Sequence, residues 1–432
     1  MSLDFNTYDN LRSIFSVKNM VSDFFRKYGL AFVMVASYFG SGSIFIASSA
    51  GVRYGYSLLW AVIGAVLLGY MAQDMSARLG IFGQSLATFA REKLGRTAST
   101  VLMILLSIGC VAWTLELTAA VGKGIVVLLG LQAIGWAPFA YLTGVAAIVV
   151  GILGYDWVEK IMVAMMFALL GSYVLVASVS SPDIVAAATG VVPVLGGLDG
   201  MVLAISILGT TALWPNFFLE SELVEEKGWS GADAVPNMRR DLAIGYTVGG
   251  ITTIAIVVAA AAVLRPAGYE QLETFLTPGK AMATVLGEWA MVVFLVGTLA
   301  AAFNSIIPIM WAPAYMIRET LGGEYANSRR TFLVIYVAGV ALGSLSPFIH
   351  QYLGLSVIDM IILFPAYNAV IGLPITVALL FWAVNDPDVM GDHTNGWLLN
   401  ILNTALILVA AYSVYSAGGL VIETIFTGGL AG

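Results

Sequence analysis

The run Tyr38-Phe39-Gly40-Ser41-Gly42-Ser43-Ile44 limits what this chain can fold into more than any other stretch. It sets two glycines and two serines in the middle of an apolar segment, residues 28–50, long enough to cross a bilayer. Each glycine in a helix interior costs about 1 kcal/mol relative to alanine, so two of them at mid-membrane imply a deliberate break. Unwound backbone survives in a membrane only where it lines a cavity or is buried in protein. A second interruption, Gly209-Thr210-Thr211-Ala212-Leu213-Trp214-Pro215, falls inside the apolar run 197–226. Two broken helices five spans apart imply a transporter built from inverted repeats, with its substrate held between the breaks.

Composition agrees with a membrane protein: 59% of residues are hydrophobic and 10% charged, against about 25% charged in soluble domains. The single cysteine, Cys110, rules out a disulfide framework. Residues 1–25 are polar and mixed and lack the apolar core of a cleavable signal peptide. Eleven spans are predicted: 28–50, 57–79, 99–130, 135–154, 157–180, 197–226, 241–264, 281–303 with an extension to 320, 330–347, 354–384 and 397–423. With the N-terminus inside, the cytoplasmic side collects Arg12, Lys18, Arg26, Lys27, Arg78, Arg91, Lys93, Arg96, Lys160, Lys227, Arg239, Arg240, Arg318, Arg329 and Arg330. The other side keeps Arg53, Arg265 and Lys280, and Lys123 falls within a span. The positive-inside rule therefore places the N-terminus in the cytoplasm and the C-terminus outside. A bacterial inner membrane is the expected location. The chain divides into a cytoplasmic tail (1–27), a first repeat (28–196), a second repeat (197–384), and a last loop and helix (385–432).

Several segments go beyond composition. They include Gln73-Asp74-Met75-Ser76-Ala77-Arg78-Leu79-Gly80-Ile81 followed by Leu86-Ala87-Thr88-Phe89-Ala90-Arg91-Glu92, and Gly154-Tyr155 with Glu159. Further along come Ile207-Leu208-Gly209-Thr210-Thr211 with Pro215-Asn216, Leu219 with Ser221, and Val389-Met390-Gly391 before Asn395 and Trp397-Leu398. Together, over residues 28–423, they resemble the Nramp (natural resistance-associated macrophage protein) metal transporters. The resemblance implies an all-α polytopic membrane protein of the LeuT-type fold: a 5+5 inverted repeat with an eleventh transmembrane helix.

The likeness stops at the family's metal site. Nramp importers carry Asp-Pro-Gly-Asn at the first break, where this chain has Gly40, Ser41, Gly42 and Ser43. Their Met-Pro-His at the second break aligns with Leu213, Trp214 and Pro215, and a following histidine position holds Glu220. The carboxylate and the thioether that select Mn²⁺ and Fe²⁺ are missing, and neutral hydroxyls leave a divalent charge uncompensated in low dielectric. A Gly-Ser-Gly-Ser break instead offers free N–H groups at a helix start, where the dipole favours an anion. The expected substrate is therefore a small polar organic solute of carboxylate type, bound by Gly40, Ser41, Gly42, Ser43, Thr210, Thr211, Leu213, Trp214, Asp359 and Asn304. Tyr38, Phe39, Trp113 and Phe217 would wall the compartment.

Charges inside spans cost about 2.5–3.5 kcal/mol on insertion scales and mark functional candidates. Glu116 aligns with an acidic position of the family's proton route, and Lys123 lies two turns further along the same face. Glu116, Glu220 and Lys123 are the coupling candidates, with H⁺ or Na⁺ as the coupling ion. Glu222 is expected to face the cytoplasmic vestibule. Asp74, Arg78, Glu159 and Arg240 lie near the cytoplasmic face and read as solvated helix ends, with a gate salt-bridge network as the alternative, and His350 and His393 read as loop residues. No Walker loop, Cys/His cluster or basic aromatic patch occurs, so no enzyme activity, cofactor or nucleic-acid partner is expected. The lipid bilayer and a small-molecule or ion substrate are the partners, and a monomer is favoured. The alternative is a transporter of Mg²⁺ or another hard divalent cation using other acids, Asp359 or Glu116; a third reading is a non-transporting sensor.

Overall fold

The computed structural model describes residues 28–194, 197–270, 272 and 276–427. The tail 1–27, with its four basic residues, lies outside them. Every regular element among the described residues is helical: α1 Leu30–Tyr38, α2 Ser41–Tyr54, α3 Leu59–Phe82, α4 Leu86–Leu94, α5 Arg96–Leu129, α6 Ala137–Gly151 and α7 Tyr155–Val179. After the short α8 (Ile184–Thr189) come α9 Gly197–Thr211, α10 Trp214–Leu223, α11 Val235–Val263, α12 Thr277–Leu286 and α13 Glu288–Leu321. The chain ends with α14 Arg329–Gly343, α15 Ser346–Leu353, α16 Val357–Tyr367, α17 Leu373–Val384, α18 Pro387–Met390 and α19 Trp397–Thr427.

Six of these helices are long and apolar enough to cross a membrane, and three bent pairs add candidates. Large apolar side chains such as Leu67, Val101, Ile104 and Ile108 point outward, as lipid-facing residues do. The protein is an integral membrane protein. Helix starts are fixed by side-chain caps: Ser85 accepts from the Thr88 N–H at 3.2 Å and Ser328 from Thr331 at 3.1 Å.

The first span is two helices, α1 and α2, bent by 66°. The sixth is likewise split into α9 and α10. Both first-span halves rest on α11, far along the chain. Gly245 permits this on one side, because a Cβ there would come within 2.6 Å of the Ala31 Cβ. Gly51 permits it on the other, where a Cβ would meet Ala260 at 2.8 Å. α13, 34 residues long, packs along α5 and α7 and closes the core behind the breaks.

Three expectations change. The eighth span begins only at Glu288, because residues 281–286 belong to the separate α12, while its extension to about 320 is as expected. The tenth is interrupted by a π-helical turn, Asn368–Gly372. His350 is not in a loop but on α15, exposed, with Nδ1 2.8 Å from the Leu355 carbonyl. Pro347 at the start of a new helix explains the last change, since proline suits a first turn.

Candidate substrate site between two broken helices

Only Phe39 and Gly40 are unwound in the first span, and Ser41 to Ser43 already form the first turn of α2. The break is thus shorter than the expected tetrad. Gly40 is extended (φ −91°, ψ 177°), and the Ser43 hydroxyl donates to the Tyr38 carbonyl. That bond satisfies one of the acceptors orphaned where α1 stops. In the sixth span Ala212 and Leu213 are unwound, with Leu213 extended (φ −73°, ψ 110°) and Pro215 in the first turn of α10.

Glu116, from the middle of α5, reaches this break. Its carboxylate accepts the Ser41 hydroxyl and the Gly42 N–H, and its exposure is 1%. The donors expected to hold a substrate carboxylate are therefore filled by a protein carboxylate. A helix start offers free N–H donors, and here the acceptor comes from a carboxyl 75 positions away in sequence. A cavity of about 20 Å³ remains between the breaks, lined by Tyr38, Ser43, Trp113, Glu116, Thr210 and Leu213 together with Ser37, Gly40 and Gly42. Its polar walls are oxygen donors and backbone, and no methionine lines it.

The remaining candidates fall elsewhere. Asp359 does not approach the breaks. Its carboxylate accepts from the Ser356 N–H at 2.7 Å while the Ser356 hydroxyl accepts from the Asp359 N–H at 3.2 Å, a capping box that starts α16. Trp214 is turned away from the cavity and donates to Asn368 Oδ1 at 3.0 Å. Thr211 bonds back to the Ile207 carbonyl. Asn304 donates to the Met162 carbonyl at 3.2 Å and does not line the cavity. Lys123 is partly exposed and makes no ion pair among the described residues. Phe39 and Phe217 are buried core residues, and neither lines the cavity.

Below the breaks lies a polar layer the sequence did not reveal. The Ser37 hydroxyl donates to Asn216 Oδ1 at 2.5 Å, and Asn216 Nδ2 donates to the Met34 carbonyl at 2.8 Å, so α10 is tied to α1. Gln73 of α3 donates to Glu220 at 3.0 Å. Asp74, Arg78 and Glu159 are buried rather than solvated. Arg78 and Arg239 both reach Asp74, at 3.0 and 2.6 Å, and Lys227 pairs with Glu159 at 2.5 Å. Only Arg240 of that group is exposed. The i, i+4 spacing of Asp74 and Arg78 was a readable signal; the partners from α11 and the 224–230 turn were not. Glu222 lines a separate cavity of about 510 Å³ with Ser85, Arg318 and Glu319. Among the described residues no three His, Cys, Asp or Glu side chains come together as a metal cluster.

Two half-helices meeting at an internal cavity, inside a bundle of apolar helices, are the arrangement of a membrane transporter of the LeuT-type fold. The chain belongs to the Nramp family: residues 31–417 match the profile for natural resistance-associated macrophage protein-like proteins. It is 26% identical over 389 residues to the divalent metal cation transporter MntH of Yersinia enterocolitica, spanning 88% of this chain and 91% of the relative. A manganese transporter from Eremococcus coleocola superposes with a TM-score of 0.80 at 17% identity, over 93% of this chain and 88% of that one. Mhp1, a nucleobase-cation-symport-1 family transporter, superposes with a TM-score of 0.63 at 14% identity, over 93% and 92% of the two chains.

Proposed function

We propose that this protein moves a hard divalent cation across the membrane by alternating access, with Glu116 as the charged group of its site. The observation that carries this reading is the Glu116 carboxylate docked on the start of α2 and facing the cavity between the breaks. It reverses the electrostatics inferred from the tetrad alone. The helix start no longer offers a vacancy for an anion, and the cavity gains a negative wall. The space of about 20 Å³ is that of roughly one water, too small for an organic acid without rearrangement.

One carboxylate, the hydroxyls of Ser43 and Thr210 and nearby backbone carbonyls form an all-oxygen donor set. Such sets suit Mg²⁺ and Mn²⁺, whereas thioethers and thiolates favour softer ions. The curated relatives are named as divalent metal cation transporters, which supports the cation class. The concentration of Lys and Arg on the side predicted to be cytoplasmic supports the expected orientation.

A thermal-shift panel on the purified protein tests the reading, because a ligand of the native state raises the midpoint. Mg²⁺ or Mn²⁺ is expected to raise it in a saturable way, and uptake of the same ion into proteoliposomes is expected to saturate likewise. Stabilisation by an organic acid with indifference to divalent cations overturns the proposal. Binding without any flux would instead indicate a sensor.

A further inference from the structure

A buried acid with no role in the cavity lies about a turn and a half along α10 from the second break. Glu220 has no solvent exposure, and neither does Gln73, its partner on α3. One hydrogen bond joins them: Gln73 Nε2 donates to Glu220 Oε2 at 3.0 Å and also to the Asn216 carbonyl at 3.1 Å. Each side chain keeps a second oxygen, Glu220 Oε1 and Gln73 Oε1, and both are buried without a hydrogen-bond partner. Among the described residues no cation forms a salt bridge with Glu220.

Two orphaned acceptors on side chains already joined by one bond need a hydrogen that neither can supply when Glu220 is ionised. An ionised carboxylate only accepts, and an amide oxygen only accepts. A protonated Glu220 resolves both at once, because its hydroxyl donates to the amide oxygen while the amide N–H₂ donates to its carbonyl. The alternative is an uncompensated carboxylate in a dry interior, which is strongly disfavoured. The surroundings carry charge of both signs. Asp241 on α11 acts on Glu220 as a like charge, with its own Oδ1 unpartnered. Tyr246 of α11 and Tyr155 of α7 face the same region. Glu159 is already paired with Lys227, the positive charge among the described residues that acts on Glu220.

We propose that Glu220 is a proton-binding site, protonated on Oε1 in this conformation and donating to Gln73 Oε1. When α10 separates from α3 during the transport cycle, the Gln73 partnership is lost, Glu220 meets water, and the proton passes to it as hydronium. The assignment of the bound proton does not depend on which solute occupies the break.

Infrared difference spectra of the purified protein at neutral pH, wild type minus Glu220→Gln, provide the test. The wild type is expected to show a protonated carboxylic acid carbonyl band that the variant lacks. Loss of the two carboxylate stretches instead overturns the proposal. Gln at 220 keeps both hydrogen bonds, so the variant is expected to fold. If it does not, Gln73→Met retains the acid and removes its partner, which shifts the acid band to higher frequency. An unchanged acid region in that variant also overturns the proposal. As a second readout, the thermal midpoint of the wild type is expected to fall more steeply with rising pH than that of Glu220→Gln above the unfolded glutamate value of about 4.3. The folded state holds a proton that the unfolded glutamate has released, so stability declines as pH rises. Parallel slopes contradict the bound proton.

Discussion

Replacing Glu116 with Gln tests the cation reading most directly. The amide is nearly isosteric and can still accept the Gly42 N–H and bond the Ser41 hydroxyl, the two contacts the carboxylate makes. The fold is therefore expected to survive while the cavity loses its one negative charge. A cation about 4 Å from a carboxylate gains about 4 kcal/mol per unit charge at an effective dielectric of 20. A divalent ion gains about twice that, and most of the gain offsets desolvation. If about 3 kcal/mol survives as net binding, the half-saturation concentration rises roughly a hundredfold. The assay is initial-rate uptake of Mg²⁺ and Mn²⁺ into proteoliposomes across a wide concentration range, with thermal midpoints as the folding control. A half-saturation concentration within about threefold of wild type, in a variant that melts normally, would refute the role given to Glu116.

Asp74→Ala removes the shared partner of Arg78 and Arg239 and leaves Arg78, which is only 5% exposed, without a counter-ion and bonded only to the His393 carbonyl and the Asn395 side chain. A loss of about 3–5 kcal/mol is expected, seen as a sharply lower melting midpoint, and an unchanged midpoint contradicts it. Asn368→Ala deletes the bonds to the Trp214 indole (3.0 Å), the Gly109 carbonyl (3.0 Å) and the Phe364 carbonyl (2.9 Å). At about 1–3 kcal/mol for a buried group left unpaired, the variant is expected to melt well below wild type, with Trp214 fluorescence altered in the native state. Outside the spans, the hydrogen bond from Lys93 holds the Asp386 carboxyl below the usual carboxylate range. That contribution is present above the unfolded aspartate value of about 3.9 and is lost as pH falls through the lower folded value. Asp386→Asn is expected to flatten the acid limb of a midpoint-against-pH profile, and an unaltered limb contradicts this.

The fold was legible because its signals are local and repeated. Long apolar runs, two glycine-bearing interruptions and the Gln73–Glu92 stretch sufficed for the class and the position of the breaks. The site was legible in place but not in chemistry. The tetrad overlaps the break only at Gly40, its electrostatics depend on Glu116, and nothing local to residues 40–43 reveals that a carboxyl from α5 docks there. The contacts of Asp359 are written in the chain, since Ser356-x-x-Asp359 is a capping box. Burial of Asp74 and Glu159 escaped notice because it depends on α11 and the 224–230 turn folding back over them. The Gln73–Glu220 pair, 147 residues apart, has no sequence signature at all.

Gly245 and Gly51 seat opposite arms of the first span on one helix, α11, on either side of the bend at Phe39 and Gly40. In mechanical terms the bent pair has two bearings on a single shaft. The gap between the bearings is the unwound segment, so one arm can tilt while the other stays seated. Neither bearing has a side chain to interlock, which keeps sliding cheap and makes a wedge costly. A methyl group added at either glycine therefore acts on a motion rather than on a contact. Alanine at 245 or 51 is a way to jam one arm at a time, and to learn which of the two must move for substrate to leave.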